Sequence, residues 1–101
     1  MSQRTGESLR RTEAEIVAEK AATLGRAGER LDEALGEARA ALARLDAARG
    51  VEERRQRLAD YERACQRAAR ERLTLIIQRE AVGLRHHRVV DQQFPEPPRR
   101  S

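Results

Sequence analysis

The sequence is poor in aromatic side chains: it contains one tyrosine (Tyr61), one phenylalanine (Phe94) and no tryptophan. Most of its hydrophobic residues are alanine and leucine, and alanine buries little area. A chain of 101 residues is already short for burying a sufficient core. We therefore expect the protein to enlarge its core by binding a second chain.

Proline is absent before Pro95, so no earlier residue is barred from a helix interior. Alanine, glutamate, arginine and leucine dominate, which is typical of long helices. High charge with few aromatics is also typical of disordered chains, but the regular spacing of the apolar residues argues against disorder. The sequence therefore predicts an all-α protein.

Cysteine is represented only by Cys65, which excludes an intramolecular disulfide and suggests no cysteine-based metal site. The opening residues, MSQRTGESLRR, lack the apolar core of a signal peptide. No stretch approaches the ~20 apolar residues of a membrane span. We expect a cytoplasmic protein that does not associate with membranes.

Small and apolar residues recur in alternating steps of three and four along the first half of the chain. They are Ala14, Val17, Ala21, Leu24, Gly28, Leu31, Leu35, Ala38, Leu42 and Leu45. This heptad pattern predicts one long amphipathic helix that ends at about Arg49. Thr12 and Glu15 fit a capping box at its start, and residues 1–8 are predicted to form a flexible arm.

Gly50 fits the position just after a helix, and Glu52 and Glu53 fit the first turn of a second helix. A short turn makes the two helices antiparallel neighbours. Gly83 fits a second helix end, and residues 85–93 can form one or two further turns. The predicted fold is an antiparallel hairpin of two long helices plus a short C-terminal helical segment. The domain spans residues 9–93, and residues 94–101 form an extended tail rich in proline and arginine.

An apolar cluster lies at residues 73–77 and comprises Leu73, Leu75, Ile76 and Ile77. Folding about Gly50 places it near residues 23–27, where we expect Gly25 and Gly28 to allow close helix approach. Its side chains point in nearly all directions, so one neighbouring helix cannot cover them. Either the segment after Gly83 or a second subunit must do so. We favour a homodimer that forms a four-helix bundle, which Ile76→Asp or Ile77→Asp should disrupt.

A basic stripe of Arg63, Arg67 and Arg70 follows the second helix at helical spacing, opposite its apolar face. With a net charge of +4, these residues could contact phosphates, so a nucleic-acid-associated protein is an alternative. No aromatic residue interleaves with the stripe to stack on bases. An arginine stripe is more often a solvated surface.

Four polar residues border the apolar cluster, and we expect them to form a structural network: Arg72, Gln78, Arg79 and Glu80. A bundle enzyme centred on Arg72, Arg79 and Glu80 is a further alternative. No nucleophile–base pair, metal-ligand set or phosphate loop supports it, so we expect neither catalysis nor a cofactor. His86 and His87 point ~100° apart on a helix and do not chelate a metal together.

Two stretches, EKAATLGRAG at residues 19–28 and LIIQREAVGLR at residues 75–85, resemble a family of small bacterial helical proteins catalogued only as a domain of unknown function. The resemblance covers residues 9–92. It transfers no catalytic residue, and it implies that Gln78, Arg79, Glu80 and Gly83 serve folding or assembly. The proline-rich end departs from the family pattern after Asp91.

These observations favour a small, non-enzymatic bacterial assembly or interaction protein that forms a homodimer. One alternative is the nucleic-acid-associated protein described above. Another is an adaptor whose hairpin completes its core with a different protein. A second copy of the chain and a different protein would cover the same apolar surface, so the sequence does not distinguish them.

Overall fold

A computed structural model describes the backbone of residues 2–101 and the side chains of residues 6–101. Three helices make up the fold: α1 is Ser2–Asp46, α2 is Val51–Ala81 and α3 is Arg88–Gln93. α1 and α2 pack together as an antiparallel hairpin, and the described residues contain no strand. The predicted all-α hairpin with a short third helix is confirmed. The molecule measures 77 × 20 × 15 Å.

The first helix begins earlier than the sequence pattern indicates. α1 starts at Ser2, so residues 2–8 of the predicted arm are helical, while Met1 lies outside the described residues. Thr12 is not a cap, because its hydroxyl donates to the Ser8 carbonyl at 3.0 Å from within the helix. No proline interrupts this region, so nothing prevents the helix from extending upstream.

The turn between the long helices is built on Gly50. α1 ends at Asp46, three residues before the predicted end. Gly50 has φ 79° and ψ 164°, a conformation that is almost confined to glycine. The Glu53 carboxylate accepts a hydrogen bond from the Arg49 amide at 2.9 Å, and it also lies at the positive end of the α2 dipole.

The second helix ends at the predicted glycine. Gly83 has a φ of 90°, and its amide donates to Glu80 O at 3.0 Å. The Leu84 amide donates to Arg79 O at 2.9 Å. These two bonds are those of a Schellman motif, so the prediction of a C-terminal cap at Gly83 is confirmed.

The hairpin has two apolar clusters along its length. The cluster beside the turn joins Leu42 of α1 with Leu58 and Tyr61 of α2, and folding about Gly50 predicts the first of these pairs. The second cluster joins α1, α2 and the C-terminal segment. Three of its eight buried members are alanines, and two of the larger ones, Val90 and Phe94, come from the C-terminal segment.

α1 is much longer than α2, and the difference leaves part of α1 without a neighbour. The first α1 residues in an apolar cluster are Leu24 and Ala27, while residues 7–22 are all exposed. We call residues 2–22 the overhang. Because α1 has 45 residues and α2 has 31, the end of α1 extends about 20 Å beyond the end of α2 at 1.5 Å per residue.

Two glycine-to-alanine substitutions should change the stability of the fold in opposite directions. Gly50→Ala should lower the free energy of unfolding by about 1–3 kcal/mol, because alanine is strained at this φ and ψ. Gly25→Ala should raise it by up to about 1 kcal/mol, because Gly25 is inside α1 and an added Cβ meets no atom within 4 Å. Urea denaturation of the two variants measures both changes. Equal effects at the two positions would contradict this account of the turn.

Candidate functional site

The apolar cluster of residues 73–77 is covered in part by the protein's own C-terminal segment. Leu75 is buried with Val90 of α3 and Phe94, and Ile76 is half-buried. The segment after Gly83 therefore covers Leu75, whereas the sequence favours a second subunit as the cover. Leu73 and Ile77 remain exposed, at 58% and 55%. They lie on the side of α2 that faces away from Leu75.

Gly25 and Gly28 of α1 do not bring α2 closer. An added Cβ at Gly25 would meet nothing within 4 Å. At Gly28 it would lie 3.9 Å from Cζ of Phe94, so the neighbour of Gly28 is the C-terminal segment. The prediction that large α2 residues pack on these glycines is therefore wrong. The large side chain at Gly28 is Phe94 of the C-terminal segment.

Arg72 anchors the C-terminal segment to α2. Its Nη1 lies 2.9 Å from Asp91 Oδ1, and its Nη2 donates to the carbonyl of Phe94. The Arg72 side chain is only 14% exposed, whereas the Asp91 side chain is 75% exposed, so the arginine is largely shielded from water and its carboxylate partner is not. The arginine thus fixes α3 and the following residue against the hairpin.

Arg79 and Glu80 hold the start of the same segment. Arg79 Nε donates to His87 Nδ1 at 3.2 Å, and its Nη2 donates to His86 O at 2.8 Å. Because Nδ1 accepts, the His87 proton lies on Nε2, which donates to Glu80 Oε1 at 3.1 Å. The network predicted around the cluster thus includes Arg72, Arg79 and Glu80. Among the described side chains, Gln78 has no hydrogen-bond partner within it.

The tail after Phe94 lies on the hairpin. The Tyr61 hydroxyl donates to the carbonyl of Pro98. Arg100 Nε lies 3.5 Å from Asp46 Oδ1, and Arg54 Nη2 donates to Ser101 O at 3.0 Å. The tail has the predicted non-helical conformation, but it is docked along α2 towards the turn.

A cavity of about 540 Å³ lies between α2 and this tail. It is lined by Tyr61, Cys65 and Arg72 together with the last prolines. Arg79 lines a different cavity, beside α3, and Glu80 lines neither. The three residues of the enzyme alternative therefore do not share a cavity. Among the described residues no group of three or more His, Cys, Asp or Glu side chains could hold a metal ion.

The basic stripe is partly neutralised by acidic side chains. Arg63 pairs with Asp60, and Arg67 pairs with Glu37 and lies 3.8 Å from Glu33. The Glu37 carboxylate raises the pKa of Arg67. Arg67 therefore lies beside α1 and bridges the two helices, which corrects its predicted position opposite the apolar face.

The overhang carries three large apolar side chains that are exposed to solvent. Leu9 is 58% exposed, Ile16 48% and Val17 66%. The helix is amphipathic here as it is inside the hairpin, but its apolar side faces solvent in the single chain. This surface and the Arg72-anchored segment are the two candidate functional features of the molecule.

Comparisons with family models, with curated proteins and with solved structures give no match to this chain. The resemblance to a bacterial helical family therefore stays an expectation from the sequence. Within residues 2–101, no helix combines the length and apolarity needed to cross a membrane.

Sequence reasoning missed the residues that dock the tail: Tyr61, Pro98, Asp46 and Arg100. One signal was available, because a tyrosine on an apolar helix face needs a hydrogen-bond partner when it is buried. Nothing in the local sequence points to a carbonyl 37 residues away.

The single tyrosine reports whether the tail is docked in solution. Burial raises the pKa of Tyr61 to about 12, and a hydrogen bond with Cys65 adds to the shift. Absorbance at 295 nm should therefore titrate near pH 12 in the folded protein. Removing Pro95–Ser101 should bring the midpoint towards the ordinary value of about 10.

The same shift predicts how stability depends on pH. Because the folded pKa is raised, the neutral phenol stabilises the fold fully below the unfolded pKa of about 10. That contribution should be lost as pH rises through about 12. Tyr61→Phe should remove the alkaline loss, measured by urea denaturation at several pH values. A midpoint near 10 in the intact folded chain would contradict the docking of the tail.

Proposed function

We propose that this protein is a small, non-enzymatic assembly protein that forms a homodimer. The observation that carries the proposal is the overhang, a helix of about six turns whose apolar side chains have no neighbour in the single chain. Most helical stability in proteins comes from the packing of an amphipathic face, and the overhang has no such packing in the single chain. A second chain would supply that packing.

The distribution of exposed apolar side chains favours the overhang over α2 as the assembly surface. Leu75 is already covered by the C-terminal segment, which leaves Leu73 and Ile77 as a smaller patch on α2. The four-helix bundle expected from the sequence would rest on these two residues. The overhang offers a longer apolar surface and no competing intramolecular cover.

The location that we propose is the cytoplasm. Cys65 is a free thiol, which is usual in reducing compartments. The protein's role there would be structural, with its anchored C-terminal segment completing the hairpin core and its overhang engaging another chain.

Two substitutions identify the assembly surface. Val17→Asp should raise the dimer dissociation constant at least about tenfold, because it would bury an unpaired charge. Ile77→Asp is the matched control on α2 and should leave the mass unchanged. Light scattering on a sizing column over a concentration series measures both. A dimer that is lost with Ile77→Asp and kept with Val17→Asp would return the interface to α2.

The nucleic-acid alternative makes a separate prediction. Acidic partners occupy Arg63 and Arg67. We therefore expect that any binding to duplex DNA or RNA at low salt is weak and does not depend on the three arginines of the stripe. Fluorescence anisotropy at two salt concentrations tests this expectation. Binding that falls steeply with salt and is removed by neutralising Arg63, Arg67 and Arg70 would support the alternative instead.

A further inference from the structure

The exposed face of the overhang is the α2-binding face of α1 continued upstream. An α-helix returns to the same direction after 18 residues, since five turns of 3.6 residues make 18. Leu9, Ile16, Val17 and Leu24 lie 18 residues before Ala27, Ala34, Leu35 and Leu42. Ala27, Ala34 and Leu35 are buried and Leu42 is packed in the core. The occupant that fits this face is therefore another helix in line with α2.

Two charged residues stand on the same face. Glu13 and Lys20 lie 18 residues before Leu31 and Ala38, both of which are fully buried in the hairpin. Their opposite charges are separated by seven residues, so they point in nearly the same direction. A helix that packs here must supply an acidic group opposite Lys20 and a basic group opposite Glu13.

The overhang itself meets this requirement when it is turned end to end. We propose that two copies pair through their overhangs in antiparallel orientation, with residue n of one copy opposite residue 33 − n of the other. Glu13 then faces Lys20 of the second copy, twice by symmetry. Ile16 faces Val17, and Leu9 faces Leu24, which is half-buried at the edge of the hairpin core. This inference rests on the proposed self-assembly and specifies its surface, orientation and register.

Charge selects this register. A shift of the pairing by one heptad in one direction places Glu13 opposite Glu13 of the second copy. A shift by one heptad in the other direction places Lys20 opposite Lys20. In both cases like charges meet on the two-fold axis and repel. In a parallel pair with the same residues side by side, Glu13 lies beside Glu13 and Lys20 beside Lys20, so like charges meet there too. Space limits the paired segment to residues 9–24 of each copy, because residues 2–6 would otherwise meet the part of α1 that α2 covers, beginning at Ala27.

The overhang as a whole is compatible with self-pairing. It contains four basic residues and four acidic ones, which gives it no net charge: Arg4, Arg10, Arg11, Lys20, Glu7, Glu13, Glu15 and Glu19. Two copies therefore do not repel each other through their net charge. Polar residues inside a helical interface specify register at a cost in stability, and Glu13 and Lys20 have that position here.

Charge reversal tests the register. Glu13→Lys and Lys20→Glu each place like charges together at both symmetric positions, and each should raise the dimer dissociation constant about 100-fold or more. The double variant E13K/K20E restores both pairs and should dimerise like the original chain. Mixing the two single variants should also restore a dimer, because each supplies the charge that the other needs.

The controls carry the same charge changes on the other side of the helix. Glu15→Lys and Arg11→Glu project about 150° or more from the centre of the face, and they should leave the dissociation constant within about threefold of the original. Circular dichroism and the Tyr61 absorbance titration show whether each variant keeps its fold. Sedimentation equilibrium over a concentration series measures the dimer.

The outcomes separate this inference from the proposed function. A dimer that is insensitive to the single reversals, or single defects that the double variant does not repair, would overturn the register and leave self-assembly standing. A monomer at every concentration would overturn both, and the face would then belong to a helix of another protein.

Discussion

The unequal length of the two long helices governs the rest of the structure. α1 has 45 residues and α2 has 31, and they are joined by a short turn. In an antiparallel pair with such a turn, α2 can cover only the part of α1 nearest the turn. The remaining part of α1 leaves Leu9, Ile16 and Val17 exposed to solvent.

The C-terminal segment compensates for the small side chains of the hairpin. Alanine occupies much of the interface between α1 and α2, and each alanine removes little apolar area from water. Phe94 and Val90 add larger side chains at the end where Leu75 lies. Arg72 holds them there through Asp91 and the Phe94 carbonyl. The segment therefore functions as a third layer of the core.

Local signals made much of this fold predictable. The heptad pattern, the glycine at position 50 and the cap at Gly83 depend on residues close in sequence, and the helices and their antiparallel order follow from them. The start of α1 was not predictable in the same way, because Thr12 and Glu15 have the residue types of a capping box while nothing upstream breaks the helix. Residue type alone does not show whether a helix has already begun.

The candidate sites were less predictable, because they depend on contacts between distant residues. Three of the four polar residues predicted beside the apolar cluster take part in the network, yet their side-chain partners, His87 and Asp91, follow only from the path of the chain after Gly83. Docking of the tail rests on Tyr61 and Pro98, which no local pattern connects. The overhang lay within the predicted heptads, and its lack of a neighbour became evident only from where α2 ends.

The charges at Glu13 and Lys20 bear on what the overhang evolved to contact. A helix that needed only a solvated surface would gain nothing from Leu9, Ile16 and Val17 in line with the buried face of α1. A helix that needed only the strongest packing would carry apolar residues at positions 13 and 20, as α1 does at Leu31 and Ala38. In the proposed pairing this combination would cost stability and would distinguish one register from its neighbours, because the positions of the charges specify orientation and register.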